Sequence, residues 1–266
     1  MTGRMAGIPL HYFCKGCGYG SIGQAMCRVF DEEKLDPLLY PFIVNVGCYS
    51  QIPGILPGYS FMALHGRGIS VATGLKMSNP ELKPISIHGD GDLVSIGTNH
   101  FIHGCRRNID MVVILLNNKV YGMTGGQVAP TTPTGYFATT SPYGYEEEPI
   151  DAVKLAIASG ATYVARWTTA TMRDFIKSVK KAIKHKGFSF VEIVSQCVTY
   201  FGRKNKMSDS VALFKYIRDN SVKIDKAKNM SDEDLKGKWV IGEHLETQRP
   251  TLWDKKSEII ESLRRK

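Results

Sequence analysis

Two groups of residues in this chain have types and spacings that could do chemistry. The first is the run Ile85-Ser86-Ile87-His88-Gly89-Asp90-Gly91-Asp92, a short apolar strand leading straight into Gly-Asp-Gly and a helix-like stretch. In a parallel sheet, ligands sit beyond the carboxyl ends of strands and beside helix N-termini. Glycines there let the backbone approach a ligand, and Asp90 offers a hard oxygen suited to Mg²⁺ bridging a diphosphate. A second apolar run, 111–116, ends in Asn117-Asn118. The 25 residues 92–116 between Gly91 and Asn117 hold one helix and one return strand, and that crossover brings Asn118 beside Asp90. Alone, Asn117-Asn118 reads as a polar turn. With Gly-Asp-Gly at this spacing, an oxygen shell for Mg²⁺ is the better reading.

The second group is sulfur. Of six cysteines, Cys14 and Cys17 form a CxxC, and Cys27, Cys48, Cys105 and Cys197 stand alone. Cys48 and Cys197 each come just after an expected core strand, so both fall on the sheet edge that carries Asp90 and Asn118. Four thiolates suit either tetrahedral Zn²⁺ or an iron–sulfur cluster. A structural zinc site usually comes as two compact CxxC pairs, whereas here two ligands arrive singly. A cluster so close to the first group would suggest electron transfer. Cys27 and Cys105 fall inside expected helices and read as core residues.

The elements that must position these groups follow from periodicity. Strands are expected at 42–46, 84–88, 111–116, 163–166 and 190–194, and helices at 21–30, 68–77, 93–106, 150–159 and 172–184. This alternation predicts an α/β fold, a mainly parallel sheet with helices on both faces. Residues 121–145, dense in Gly, Thr and Pro, read as a long functional loop. Beyond residue 200 the chain turns polar and charged, with short helical pieces at 211–219 and 257–263. Two units are therefore expected: 1–200 as the binding domain, and 201–266 as an extension that wraps the core or contacts a partner. No run approaches the roughly 18 apolar residues of a membrane span. The N-terminus lacks a signal-peptide apolar core, so the expectation is a cytoplasmic protein with no membrane association. Net charge is +9, from 34 Lys and Arg against 25 Asp and Glu. Without a nucleic-acid-binding signature, that excess fits a solvated face or a docking surface for an acidic protein.

Gly-Asp-Gly, about 25 residues, then Asn-Asn resembles the thiamine diphosphate motif. The resemblance implies Mg²⁺ held by Asp90, Asn118 and the Val120 carbonyl, with Gly91, Asp92 and residues 122–124 at the diphosphate. Further motifs make the resemblance specific: CxGCGxG at 14–20, Gly47-Cys48, His65-Gly66-Arg67, HGDGD at 88–92, NHFIHGCRRNID at 99–110, NNKVYGMTGGQ at 117–127 and APTTP at 129–133. Over roughly residues 10–207 the chain is similar to the β subunits of 2-oxoacid:ferredoxin oxidoreductases, most like the 2-oxoglutarate type. The family's Cys-Pro-Gly-Cys here reads Cys14-Lys15-Gly16-Cys17.

The resemblance implies the diphosphate half of a thiamine diphosphate-binding fold, with a [4Fe–4S] cluster on Cys14, Cys17, Cys48 and Cys197. It implies a cofactor pocket of Val46, Gly47, Cys48, Tyr49, His65, Gly89, Gly91, Asp92, Gly122, Met123 and Thr124, with His65 the catalytic candidate. The implied reaction is coenzyme A-dependent oxidative decarboxylation of a 2-oxoacid, with electrons leaving through the cluster to ferredoxin. The carboxylate that activates the aminopyrimidine has no matching motif here, since Glu147 and Glu148 sit in a loop. An α subunit is therefore expected in an αβ or (αβ)₂ unit, with γ and δ subunits possible partners. Arg67, Lys15 and Lys119 are local cations for a substrate's far carboxylate. The competing readings are a pyruvate or branched-chain 2-oxoacid specificity, a non-redox thiamine decarboxylase subunit, a zinc-stabilised binding module and a dinucleotide site, the last disfavoured because GDGD is not GxGxxG.

Overall fold

The computed structural model describes residues 13–265. The leader reading rests partly on residues 1–12, which lie outside the described residues. Among the described residues ten strands occur in chain order: β1 (Phe42–Val44), β2 (Ser60–Met62), β3 (Ile85–Gly89), β4 (Met111–Asn117), β5 (Val120–Tyr121), β6 (Gln127–Val128), β7 (Tyr163–Thr168), β8 (Phe188–Val194), β9 (Ser221–Lys223) and β10 (Trp239–Glu246). Eight form one sheet in the order β2-β1-β3-β4-β8-β7-β10-β9, and β5 and β6 form a separate hairpin. Every pairing in the large sheet is parallel except β10 with β7.

The central strands are continuous apolar runs because both their faces are covered. Along β4, Val112, Ile114 and Leu116 point to one layer and Met111, Val113 and Leu115 to the other. The first layer is closed by α1 (Tyr19–Glu33) and α5 (Met172–Lys184), through Ile22, Met26, Val29, Phe175 and Val179. The second is closed by α2 (Gly68–Ser78), α3 (Thr98–Arg107) and α4 (Ala152–Ala158), through Ile69, Ala72, Phe101, Val153 and Ala156. Asp151 caps α4 by accepting from Val153 and Lys154 N–H at 3.0 and 3.2 Å. The carbonyls ending α3 are taken by Arg249, whose guanidinium donates to Cys105 O at 2.7 Å.

The structure revises several expected boundaries. The first strand stops at Val44, short of the expected 46. The expected helix 93–106 is two pieces: a π-type turn over Asp92–Ile96, non-helical at Val94, and then α3. The strand expected at 163–166 continues to Thr168. The segment 201–266 contributes α6 (Ser210–Asp219), β9, α7 (Ile224–Ala227), α8 (Asp232–Leu235), β10 and α9 (Leu252–Arg264). Its strands extend the main sheet, β10 pairing antiparallel with β7 from Gly242 opposite Arg166 to Glu246 opposite Tyr163. Among the described residues no helix is long and apolar enough to cross a membrane.

Candidate functional site

Strands β1, β3, β4 and β8 lie side by side and parallel. Their carboxyl ends therefore line up Cys48, Asp90, Asn118 and Cys197 along one sheet edge, the location that ligands favour in such sheets. A cavity of ≈ 530 Å³ opens there. Its wall includes Val46, Gly47, Cys48 and Tyr49 after β1, His65 ahead of α2, and Gly89, Asp90, Gly91 and Asp92 at the end of β3. Asn118, Val120, Gly122, Met123 and Thr124 complete it from the β4 side. Every residue expected at the cofactor or at Mg²⁺ apart from the other three cysteines thus borders one space.

Local chemistry shapes this wall. Asn117 Oδ1 accepts from Lys119 N–H and Asn118 Oδ1 from Val120 N–H, both at 3.1 Å. These successive side-chain turns hold Lys119 at φ 69° and swing Val120 to the cavity. Asp90 is 2% exposed, and Thr131 donates to its Oδ2 at 2.6 Å. Burial pushes the Asp90 carboxyl up to about 6, against the pull of the Thr131 hydrogen bond and the Lys119 cation. A buried acid under that penalty, beside an amide oxygen and a backbone carbonyl, fits a hard divalent cation.

Asp92 lines the cavity, but its carboxylate is already engaged. Oδ1 accepts from Gly66 N–H at 2.5 Å and Oδ2 pairs with His88 Nδ1 at 2.5 Å. It therefore braces the loop that carries His65. The His65 Nδ1–H donates to Val46 O at 2.8 Å, which leaves Nε2 as the ring's acceptor. The His65 and Tyr121 rings stack with centroids 6.2 Å apart. His88 is buried and bonded to Ser86 and Asp92, as a packing histidine would be.

A glycine is demanded at 91 by close approach. A Cβ there would stand 2.4 Å from Tyr121 Cε1. Gly91→Ala is expected to push the Tyr121 ring into the cavity and destabilise the fold by about 1–3 kcal/mol, the usual range for overpacking. Denaturant unfolding measures the loss, and a thiamine diphosphate titration should show weaker binding.

A second cavity, ≈ 410 Å³, abuts the first and is lined by Cys14, Cys17, Cys48 and Cys197 together. Tyr19, Cys48, Asn118, Gly122 and Met123 border both spaces. Cys14 and Cys17 reach it through a turn closed by Cys17 N–H to Cys14 O at 2.9 Å, just ahead of α1. Cys14 is exposed, Cys17 and Cys48 are half-buried and Cys197 is buried. Burial drives the Cys17 thiol up to about 12 and the Cys48 thiol up to about 11, and repulsion from the other cysteines adds to both. Bare, Cys17 and Cys48 stay protonated near neutral pH, and a positively charged group is what would hold them as thiolates. Among the described residues no three His, Cys, Asp or Glu side chains gather tightly enough to hold a single metal ion. Cys27 and Cys105 are buried elsewhere, Cys27 donating to Ile55 O at 2.9 Å.

One expectation needs correction. Lys119 cannot meet a substrate carboxylate, because it is 1% exposed and turned away from the cavity. Its ammonium donates to Ser195 O at 3.2 Å and lies 5.3 and 5.0 Å from the Phe201 and Trp239 rings. Burial lowers it to about 8, with Asp90 drawing it back up. Its contact with Trp239 ties β10 to the loop that carries Asn118. Lys15 and Arg67 are exposed, and Arg67 donates to the carbonyl of Ile96, a cavity residue.

Sequence reasoning missed three residues. Tyr19 lies beneath both cavities with its hydroxyl on Leu116 O at 3.2 Å. Tyr121 covers Gly91, and Thr131 holds Asp90. Tyr121 and Thr131 belong to motifs already noted, but only distant packing reveals their contacts.

Fold and site together define a thiamine diphosphate-binding protein of the diphosphate-holding kind. Residues 45–193 match the thiamine pyrophosphate enzyme family, C-terminal TPP binding domain. The chain is 48% identical over 254 residues to the 2-oxoglutarate synthase subunit KorB of Methanocaldococcus jannaschii, covering 96% of this chain and 94% of that one. It is 47% identical to the subunit of the same name from Methanothermobacter marburgensis, covering 94% of this chain and 88% of that one. Among solved structures, a 2-oxoglutarate:ferredoxin oxidoreductase from Magnetococcus marinus, with 2-oxoglutarate, coenzyme A and succinyl-CoA bound, superposes with a TM-score of 0.85. That match has 32% identity and covers 97% of this chain and 88% of that one. The chain belongs to the family of β subunits of 2-oxoglutarate:ferredoxin oxidoreductases, which are thiamine pyrophosphate-dependent.

Proposed function

We propose that this β subunit binds thiamine diphosphate and Mg²⁺ in the larger cavity and a [4Fe–4S] cluster among Cys14, Cys17, Cys48 and Cys197. In that role it carries out coenzyme A-dependent oxidative decarboxylation of 2-oxoglutarate, with ferredoxin as electron acceptor. The observation that carries the proposal is the wall shared between the Asp90–Asn118 cavity and the four-thiol cavity. The family supplies the substrate class.

Bound there, thiamine diphosphate would supply a nucleophilic carbon and an electron sink for the pair left behind by CO₂. The chain's own residues do the rest. Asp90, Asn118 and the Val120 carbonyl would hold the metal, and Gly91 would let the backbone come close to the cofactor. Asp92 fixes the loop that presents His65, whose Nε2 is left as a proton acceptor. Ile96, Tyr121 and Met123 give the cavity an apolar flank.

The spacing of the thiols supports a cluster over zinc. A tetrahedral zinc needs four sulfurs each about 2.3 Å from one point, whereas among the described residues no three of these thiols gather tightly enough to hold a single ion. The cavity's own acids, among the described residues, are Asp90 and Asp92. Both are committed, and Glu147 and Glu148 are exposed outside it. That supports an α subunit as the source of the carboxylate for the aminopyrimidine, in an αβ or (αβ)₂ assembly.

The test is purification of the intact complex and assay of a 2-oxoacid panel with a viologen dye. The expected result is coenzyme A-dependent reduction with 2-oxoglutarate preferred, and blue-region absorbance bleached by dithionite. A preparation holding zinc and no iron would overturn the redox reading, and preference for pyruvate would overturn the substrate.

A further inference from the structure

Behind the proposed metal site, buried polar groups form an unbroken series. Thr131 Oγ1 lies 2.6 Å from Asp90 Oδ2 and 3.0 Å from Asn117 Oδ1. Asn117 Nδ2 donates to Glu192 Oε1 at 2.8 Å. Glu192 Oε2 accepts from Arg166 Nε at 2.6 Å, and Arg166 Nη2 donates to Asp151 Oδ1 at 2.5 Å. Asp90, Asn117, Thr131, Arg166 and Glu192 are all at least nine-tenths buried.

A threonine hydroxyl carries one proton, so Thr131 donates to one of its two neighbours at a time. The shorter contact has the length of a charge-assisted O–H···O⁻ bond, which puts the proton on the Asp90 side. One carboxylate oxygen is then fixed in direction, and Oδ1 is left to meet a cation. Asn117 cannot turn to take its place, because Glu192 holds its amide and Glu192 is itself held by Arg166. Thr131 also comes from the loop after β6, 41 residues beyond Asp90 in the chain. Its neighbour Thr132 pins the same loop to Lys119 O at 2.6 Å.

We propose that Thr131 is a positioning residue of the metal site: its hydroxyl aims the Asp90 carboxylate, so that cation binding requires the Thr-rich loop to be seated. This rests on the reading of Asp90 as a Mg²⁺ ligand. Losing an outer-shell partner of this kind typically costs about 10–100-fold in metal affinity.

The experiment uses the intact complex stripped of metal and thiamine diphosphate, with Mn²⁺ as the probe and binding followed by electron paramagnetic resonance in the presence of added thiamine diphosphate. Thr131→Val keeps the shape and removes the hydroxyl. It should weaken Mn²⁺ binding about 10–100-fold, with iron content and visible spectrum unchanged. Thr131→Ser should restore near-normal affinity, a rescue that a packing role for the methyl group would not produce. Thr131→Ala replaces the valine variant if that one does not assemble. Equal Mn²⁺ affinity in wild type and the hydroxyl-free variants overturns the inference while leaving the metal site intact. A wild type that binds no Mn²⁺ with thiamine diphosphate present overturns the metal reading and this inference with it.

Discussion

Cys197→Ser is expected to empty the four-thiol cavity of iron and stop electron transfer while thiamine diphosphate still binds. Cys197 is 9% exposed at the end of β8, so no water-borne ligand can readily replace it. Serine offers a hard oxygen in place of a soft thiolate, a poor match for an iron–sulfur centre. Iron per complex should fall towards zero and the dithionite-bleachable absorbance should vanish. Dye reduction driven by 2-oxoglutarate should drop more than about 100-fold, beyond what loss of an outer-shell partner costs. Cys27→Ala is the control, since Cys27 is buried on α1 with its thiol donating to the Ile55 carbonyl. It should leave iron and absorbance unchanged. Full iron content in the serine variant would remove Cys197 from the ligand set.

Asp90→Asn should separate stability from cofactor binding. The change keeps shape and removes the charge that a cation would neutralise. Affinity for thiamine diphosphate with Mg²⁺ should fall by more than about 100-fold, again past the outer-shell range, as read by calorimetry on the stripped complex. The metal-free protein should move the other way. Burial lifts the Asp90 carboxyl from 3.8 to about 6. The folded value therefore exceeds the unfolded one, so this group favours folding fully below pH 3.8 and loses that contribution as pH rises to about 6. At neutral pH the asparagine variant escapes the penalty and should be more stable on the order of 1–3 kcal/mol. A metal-free variant that melts below wild type at pH 7.5 would contradict this.

The fold was legible where both faces of an element are covered. The strands at β3, β4, β7 and β8 are apolar enough to be read directly, while the insertion of β8 between β4 and β7 leaves no mark in their local sequence. Strand β2 was not legible, because Ser60, Phe61 and Met62 are all exposed at the sheet edge and carry no burial pattern. Strands β9 and β10 hid in a charged segment, where Lys223 masks the pairing of β9 with β10, and Glu243 and Glu246 that of β10 with β7. The π-type turn at Asp92–Ile96 keeps a helical residue pattern while its backbone departs from the helix at Val94. At the site, Asp90, Asn118, Cys48 and Cys197 could be found because strand ends and motif spacing mark them. Thr131, Tyr121 and Tyr19 could not, since each acts through contacts with residues far away in the chain. Lys119 was misjudged because its neighbours in sequence line the cavity, while its own left-handed backbone turns the side chain beneath Phe201 and Trp239.

Gly122 has a consequence for how freely this chain could diverge. A Cβ at that position would stand 3.3 Å from Asn118 Nδ2, 3.3 Å from Cys48 Sγ and 4.0 Å from Cys197 Sγ. At Gly122 the partition between the two chambers is therefore main chain alone, set among Tyr19, Cys48, Asn118 and Met123, which border both. A methyl group there would crowd the Asn118 amide and the Cys48 sulfur at once and meet Cys197 at ordinary contact distance. A side chain at this one position would therefore have to displace a group beside the proposed metal site and a proposed cluster ligand together.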